Sequence, residues 1–333
     1  MKAHPFYSFF VCLICLISFL GQLSPTFSMA SPSPFRRGLV QTPLGKIHYT
    51  AVGNNNDQET RLLPIVAFHM SPRSVDEYKE VMECACHRGD NRLLIAMDEP
   101  GYGQSDIPNK ACSLEEIADC FLTTLDHLGV TQCVVAGSLM GCYFALSLAS
   151  RYPDRIKGVV CTNLYYFQKE AREKALEVDQ KRENTGMKAE DGWEIQDDGS
   201  HIANVWGTRS SWLTPELNTR ATLDNLNYLL KRRDRYAKGI YIQDGGAFPL
   251  QETCCKIQCP VLCINGEAAV AFFDMIGMNM SAQFEEAVSF FPSENRPETV
   301  MINKPGSSIN MINQNAEEWH EKVAAFADKI GGI

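Results

Sequence analysis

Between residues 62 and 162 the chain alternates short, nearly unbroken apolar runs with longer stretches whose apolar residues recur every three or four positions. Residues 62–68, 92–97, 133–136 and 157–162 read as buried strands, and 74–87, 114–127 and 141–152 as helices between them. Ser113-Leu-Glu-Glu116 is a capping box at the start of one helix, and Pro153 disfavours helix in Tyr152 at the end of another. Residues 38–51 read as a hairpin around Pro43-Leu-Gly45. Strands without a polar face need cover on both sides, and alternation with helices makes neighbouring strands parallel. The expected class is therefore α/β, a mostly parallel central sheet between helical layers.

The rhythm stops at Asn163 and resumes at Pro260. The intervening stretch is charged and helical over 168–182, turn-rich through Asp198-Gly-Ser-His201, and helical again over 223–235. Strands at 261–265 and 299–303 and a helix at 316–330 then complete the pattern. This divides the chain into a leader at 1–37, a core at 38–162 and 251–333, and an insertion at 163–250.

The most informative stretch runs from Cys133 to Ile156. Its apolar run breaks at Gly137, and Gly141 opens the following helix, so Gly137-Ser138-Leu139-Met140-Gly141 bridges strand and helix. This resembles the nucleophile elbow Gly-x-Ser-x-Gly of the α/β-hydrolase superfamily. Three further blocks fit in order: Val66-Ala-Phe-His69-Met70, Asp98-Glu-Pro-Gly101-Tyr-Gly103-Gln-Ser105, and Cys259-Pro-Val-Leu-Cys-Ile-Asn-Gly266-Glu267. The resemblance covers about 38–330 and implies the α/β-hydrolase fold, with 163–250 as a helical cap over a pocket. It also implies that the backbone amides of Met70 and Met140 form the oxyanion side of that pocket, although Met70 replaces the usual glycine.

The catalytic positions depart from the pattern. Acyl transfer needs a nucleophile, a histidine to take its proton and an acid to orient that histidine. Leu139 stands at the nucleophile position and has no lone pair. Ala269 stands at the acid position, and Thr162 and Asn163 at its alternative. The histidine position falls on Ser308 or Ile309, and no histidine lies between His201 and His320. Ser138, one residue before the tip, is expected to point into the packing of the elbow. A chain resembling this one in His69-Met-Ser-Pro72-Arg73-Ser74, in Asp198-Gly-Ser-His201 and in Trp206 falls in a small capped group that lacks the elbow serine; that likeness supplies no substrate.

Composition narrows the partners. The formal charge of -9 over 333 residues argues against nucleic acid or an anionic membrane surface. Residues 9–20 are apolar or small behind Lys2 and His4, a signal-peptide core too short to span a bilayer comfortably, and 31–37 is Ser-rich, basic and acid-free. The expected route is the secretory pathway, ending in secretion, or in a plastid if the leader is bipartite. The chain's 13 cysteines mostly fall in predicted core strands and helices without zinc spacing, so no metal or cofactor is expected and the oligomeric state stays open.

These readings leave three functions. The first is a capped pocket for a small apolar molecule, floored by Leu139 and roofed by Trp206 and Trp212, in which His69 and His201 supply acid/base chemistry of lyase, isomerase or cyclase type without a covalent intermediate. The second is a ligand-binding or sensing protein without catalysis on the same scaffold. The third is a hydrolase with a displaced nucleophile, Ser138.

Overall fold

The structure is a computed structural model that describes residues 34–54, 62–109, 112–166, 195–231, 248–275, 277 and 279–332. Its centre is an eight-stranded sheet: β1 (Arg36–Thr42), β2 (Gly45–Val52), β3 (Ile65–Phe68), β4 (Leu94–Met97), β5 (Cys133–Ser138), β6 (Ile156–Thr162), β7 (Val261–Gly266) and β8 (Glu298–Ile302). The spatial order is β1-β2-β4-β3-β5-β6-β7-β8. β1 and β2 form the expected hairpin, β2 pairs antiparallel with β4, and every pairing from β4 to β8 is parallel. The all-apolar runs are accounted for directly: every residue of β3, β4, β5 and β7 is buried, as a doubly covered parallel sheet requires.

The covering helices are α1 (Lys79–His87), α2 (Leu114–His127), α3 (Gly141–Arg151), α4 (Ser200–Gly207), α5 (Pro215–Lys231), α6 (Leu250–Cys254), α7 (Glu267–Met275), α8 (Met280–Ser289), α9 (Met311–Gln314) and α10 (Ala316–Gly331). One core layer packs α2 and α3 through Phe68, Phe121 and Phe144, whose rings lie 4.6 to 6.4 Å apart. The other packs α1 and α10 around Trp319, whose indole N–H donates to Thr162 Oγ1 at 2.9 Å. The capping box at Ser113 and Glu116 forms as expected.

Several boundaries move. Arg36 and Arg37, read as leader, pair with Ala51 and Thr50 in β1, because an edge strand needs only alternate burial. The helix read from Ser74 opens as a 3-10 turn over Val75–Tyr78 before α1. α5 begins at Pro215, eight residues before the expected start; proline is well suited to a first helical turn. α7 and α8 lie between β7 and β8, where no element was expected. Residues 1–33 of the leader, the helix read at 168–182 and residues 232–235 lie outside the described residues. Among the described residues the cysteines are free thiols, and no helix is long and apolar enough to cross a membrane.

At the elbow, backbone touches backbone. A Cβ on Gly141 would collide with the carbonyl oxygen of Phe68, and one on Gly137 with the Gly141 carbonyl and the Cys142 amide. Gly141→Ala is expected to cost about 3 kcal/mol, the upper end of overpacking penalties, and the urea midpoint measures it. A wild-type midpoint would mean that the turn can open.

Candidate active site

Leu139 sits at the tip of the turn with φ 47, a left-handed conformation that branched and bulky residues rarely adopt. Its amide donates to the Thr162 carbonyl at 2.9 Å, and its carbonyl accepts from the Cys142 amide at 3.0 Å, so the turn is fixed from both ends. The side chain is half-buried against the apolar core. Met140 follows at the head of α3, where helix geometry leaves the first amides without intrahelical acceptors. In the same core cluster, Tyr165 and Phe248 pack at a tilt against Tyr143, with ring centroids 5.5 and 5.2 Å from it, and the Tyr143 hydroxyl donates to the Tyr165 carbonyl at 2.9 Å.

Ser138 is fully buried and donates to Glu77 Oε1 at 2.9 Å. The other oxygen, Glu77 Oε2, accepts the Met70 amide at 2.7 Å. This corrects the expected oxyanion role of Met70, since its N–H already serves a carboxylate of the same chain. Burial pushes the Glu77 carboxyl up, and Arg73, the Met70 amide and the Ser138 hydroxyl oppose that shift only in part.

His69 is also corrected. Its ring is fully buried; Nε2 accepts the Glu99 amide at 3.1 Å, which leaves the proton on Nδ1, donated to the Met70 carbonyl at 3.0 Å. Burial lowers its pKa, with Asp98 opposing, so the ring is neutral. With both nitrogens engaged, it has no lone pair to offer a substrate. Asp98 accepts from the Val75 amide through Oδ1 and from the Gln104 amide through Oδ2, which also pairs with His48 Nδ1 at 2.8 Å. Burial alone would raise Asp98, but the hydrogen bonds from His48 and the two amides outweigh it and hold it below the usual carboxylate range.

The remaining sequence candidates are scattered. His201 stands half-buried at the start of α4, its Nδ1 accepting the Gln196 amide at 3.1 Å, and no contact joins it to His69 among the described residues. Trp206 is half-buried, and its carbonyl accepts from Asn218. Trp212 packs on Leu213, Leu217 and Ala221 and lies 5.8 Å from Phe272. Ala269 is buried, its amide donating to the Ser307 carbonyl at 3.0 Å. Ser308 bonds Gln314, and Ile309 is half-buried. Among the described residues no group of three or more metal-ligating side chains could hold an ion.

The profile of the alpha/beta hydrolase fold family matches residues 71–204. Together with the sheet order and the elbow, this decides the assignment. The chain has the α/β-hydrolase fold. A thermophilic esterase from Thermogutta terrifontis superposes with a TM-score of 0.64 at 18% identity, over 89% of this chain and 99% of its own. A dihydrolipoyllysine-residue acetyltransferase component of an acetoin cleaving system from Pseudomonas putida is 35% identical over 65 residues, 20% of this chain and 18% of that one. Bifunctional epoxide hydrolase 2 from Sus scrofa is 26% identical over 160 residues, 47% of this chain and 27% of its own. The chain thus spans less than a third of the length of these two relatives.

Three buried charged side chains of this α/β-hydrolase-fold chain, Glu77, Glu99 and Arg73, were not expected from the sequence. Glu77 falls in Val75-Asp-Glu-Tyr78, which reads as a solvated first turn. Glu99 lies beside Asp98 in the loop motif, fully buried, with neither carboxyl oxygen hydrogen-bonded. Arg73 is fully buried, and its Nε donates to Asp224 Oδ2 of α5 at 2.9 Å; the Ser74 hydroxyl donates to Asp224 Oδ1 at 2.7 Å. The one available signal was the motif Pro72-Arg73-Ser74.

Two outcomes follow. Asp224→Ala strands the Arg73 guanidinium and is expected to cost about 3–5 kcal/mol in denaturant unfolding; a loss near zero would mean that Arg73 re-pairs. Burial, then Asp98 and Glu77, raise the Glu99 carboxyl well above its ordinary range. A raised acid contributes stability below the usual carboxylate range and loses it as pH rises. Glu99→Gln, which cannot ionise, should therefore gain in melting temperature over the parent between pH 5 and 8, measured at matched ionic strength. A constant difference across that range would contradict a neutral Glu99.

Proposed function

We propose that this chain uses the α/β-hydrolase scaffold to bind a small apolar molecule beside the elbow, and that no acyl-enzyme forms there. The observation that carries this reading is Leu139 at the left-handed tip, a hydrocarbon side chain held where an attacking atom would stand. Leu139, Met140, Tyr143, Tyr165 and Phe248 give that side of the elbow an apolar character. The fully buried Ser138, its hydroxyl donated to Glu77, argues against a displaced nucleophile. The engagement of both His69 nitrogens leaves His201 as the acid/base candidate from the sequence and favours binding over turnover.

In enzymes built on a nucleophile–base–acid triad, loss of the triad costs on the order of a millionfold in rate. Ester hydrolysis by the purified protein should accordingly stay at the uncatalysed rate. A fluorophosphonate probe is expected to leave the protein unlabelled. Stoichiometric labelling that disappears in Ser138→Ala would overturn the reading. Incubation with a cell metabolite extract, followed by mass spectrometry, separates binding from turnover: an unchanged co-purifying molecule supports a binder, and turnover abolished in His201→Ala supports an enzyme.

A further inference from the structure

Arg73 and Arg209 are buried where the core meets α4 and α5, 0% and 7% exposed. A guanidinium taken out of water is costly unless a carboxylate and a full set of acceptors replace its hydration. Arg73 is only partly compensated. Its Nε serves Asp224 and its Nη1 reaches Asn313 Oδ1 at 3.2 Å, but its Nη2 is buried without an acceptor. Arg209 has less. Nη1 reaches two neutral oxygens, Thr208 Oγ1 at 3.1 Å and Asn225 Oδ1 at 3.4 Å, and the buried Nε reaches none.

The local carboxyls are already committed. Asp224 accepts Arg73 on one oxygen and Ser74 on the other. Glu77 gives both oxygens to Met70 and Ser138. Asp76 and Glu80 pair with Arg220. Arg209 lies close enough to feel both Arg73 and Asp224; burial and then the like charge of Arg73 lower it to about 10, so it stays charged at neutral pH. Asn218 Oδ1 and Thr222 Oγ1 on α5 are buried without partners, yet neutral acceptors cannot balance a charge. The Trp212 indole N–H, on the turn that Arg209 starts, is a further buried donor without an acceptor.

We infer that the molecule bound by this chain carries a carboxylate, received at the seam between core and cap by Arg209 Nε and Arg73 Nη2, with the Trp212 indole as an additional donor. The inference rests on the proposed binding of a small apolar molecule and adds the charged end of that ligand. A planar carboxylate suits the fork of guanidinium donors, and the dry surroundings strengthen the pairing.

Octanoate and octanamide, matched in length and apolar area, test this by isothermal titration at low ionic strength. Octanoate should bind at least tenfold more tightly. Arg209→Met should erase that preference while the ligand-free variant melts at or above the parent temperature, because an uncompensated buried charge has been replaced by a hydrocarbon. Equal affinity for the two probes would overturn the carboxylate and leave the apolar pocket standing. Failure of both probes to bind at millimolar concentration would remove the apolar pocket and the inference together. A ligand-free Arg209→Met that melts several degrees below the parent would show that the protein already balances the charge, and would overturn the inference alone.

Discussion

Backbone contact at the elbow sets the terms for everything around it. β5 must hand over to α3 within three residues, and α3 must start against the carbonyl of Phe68, where no Cβ fits at position 141. That leaves Leu139 in the left-handed region, at a cost of order 1–3 kcal/mol that packing on both sides has to offset. The same contact places the Thr162 carbonyl against the Leu139 amide and the Gly137 carbonyl within reach of the Cys142 thiol. Sheet, helix and turn therefore form as one unit, independent of which side chain stands at the tip.

Beneath that turn the protein buries charge instead of filling the space with hydrocarbon. Glu77 holds the Met70 amide and the Ser138 hydroxyl together, and Asp98 gathers two amides and His48 around the loop that follows β4. Asp224 carries the network into α5 through Arg73 and Ser74, while Asn227 donates to the Gly103 carbonyl and Tyr228 stacks on Tyr102 at 5.2 Å. Such a network positions elements more sharply than apolar packing does, because each buried group left without its partner costs on the order of 1–3 kcal/mol. It also separates scaffold from chemistry. Met70 and His69, which the motif blocks suggest for catalysis, are engaged by this network.

The fold was legible because its signals are local. Unbroken apolar runs mark β3, β4 and β5, the Ser113–Glu116 box marks α2, and the paired glycines mark the turn at Leu139. The reading missed α7 and α8 between β7 and β8, and the 3-10 turn at Val75–Tyr78 hides a buried glutamate behind a solvated pattern.

By itself the sequence determined the succession of the strands, the elbow, and the identity of the residue at its tip, since these depend on neighbours only a few positions apart. Only the tertiary structure decided which polar groups are occupied. Glu77 meets Ser138 across 61 positions and Arg73 meets Asp224 across 151, separations over which no periodicity carries information. Burial then sets the charge of each group, and burial is a property of the packed chain.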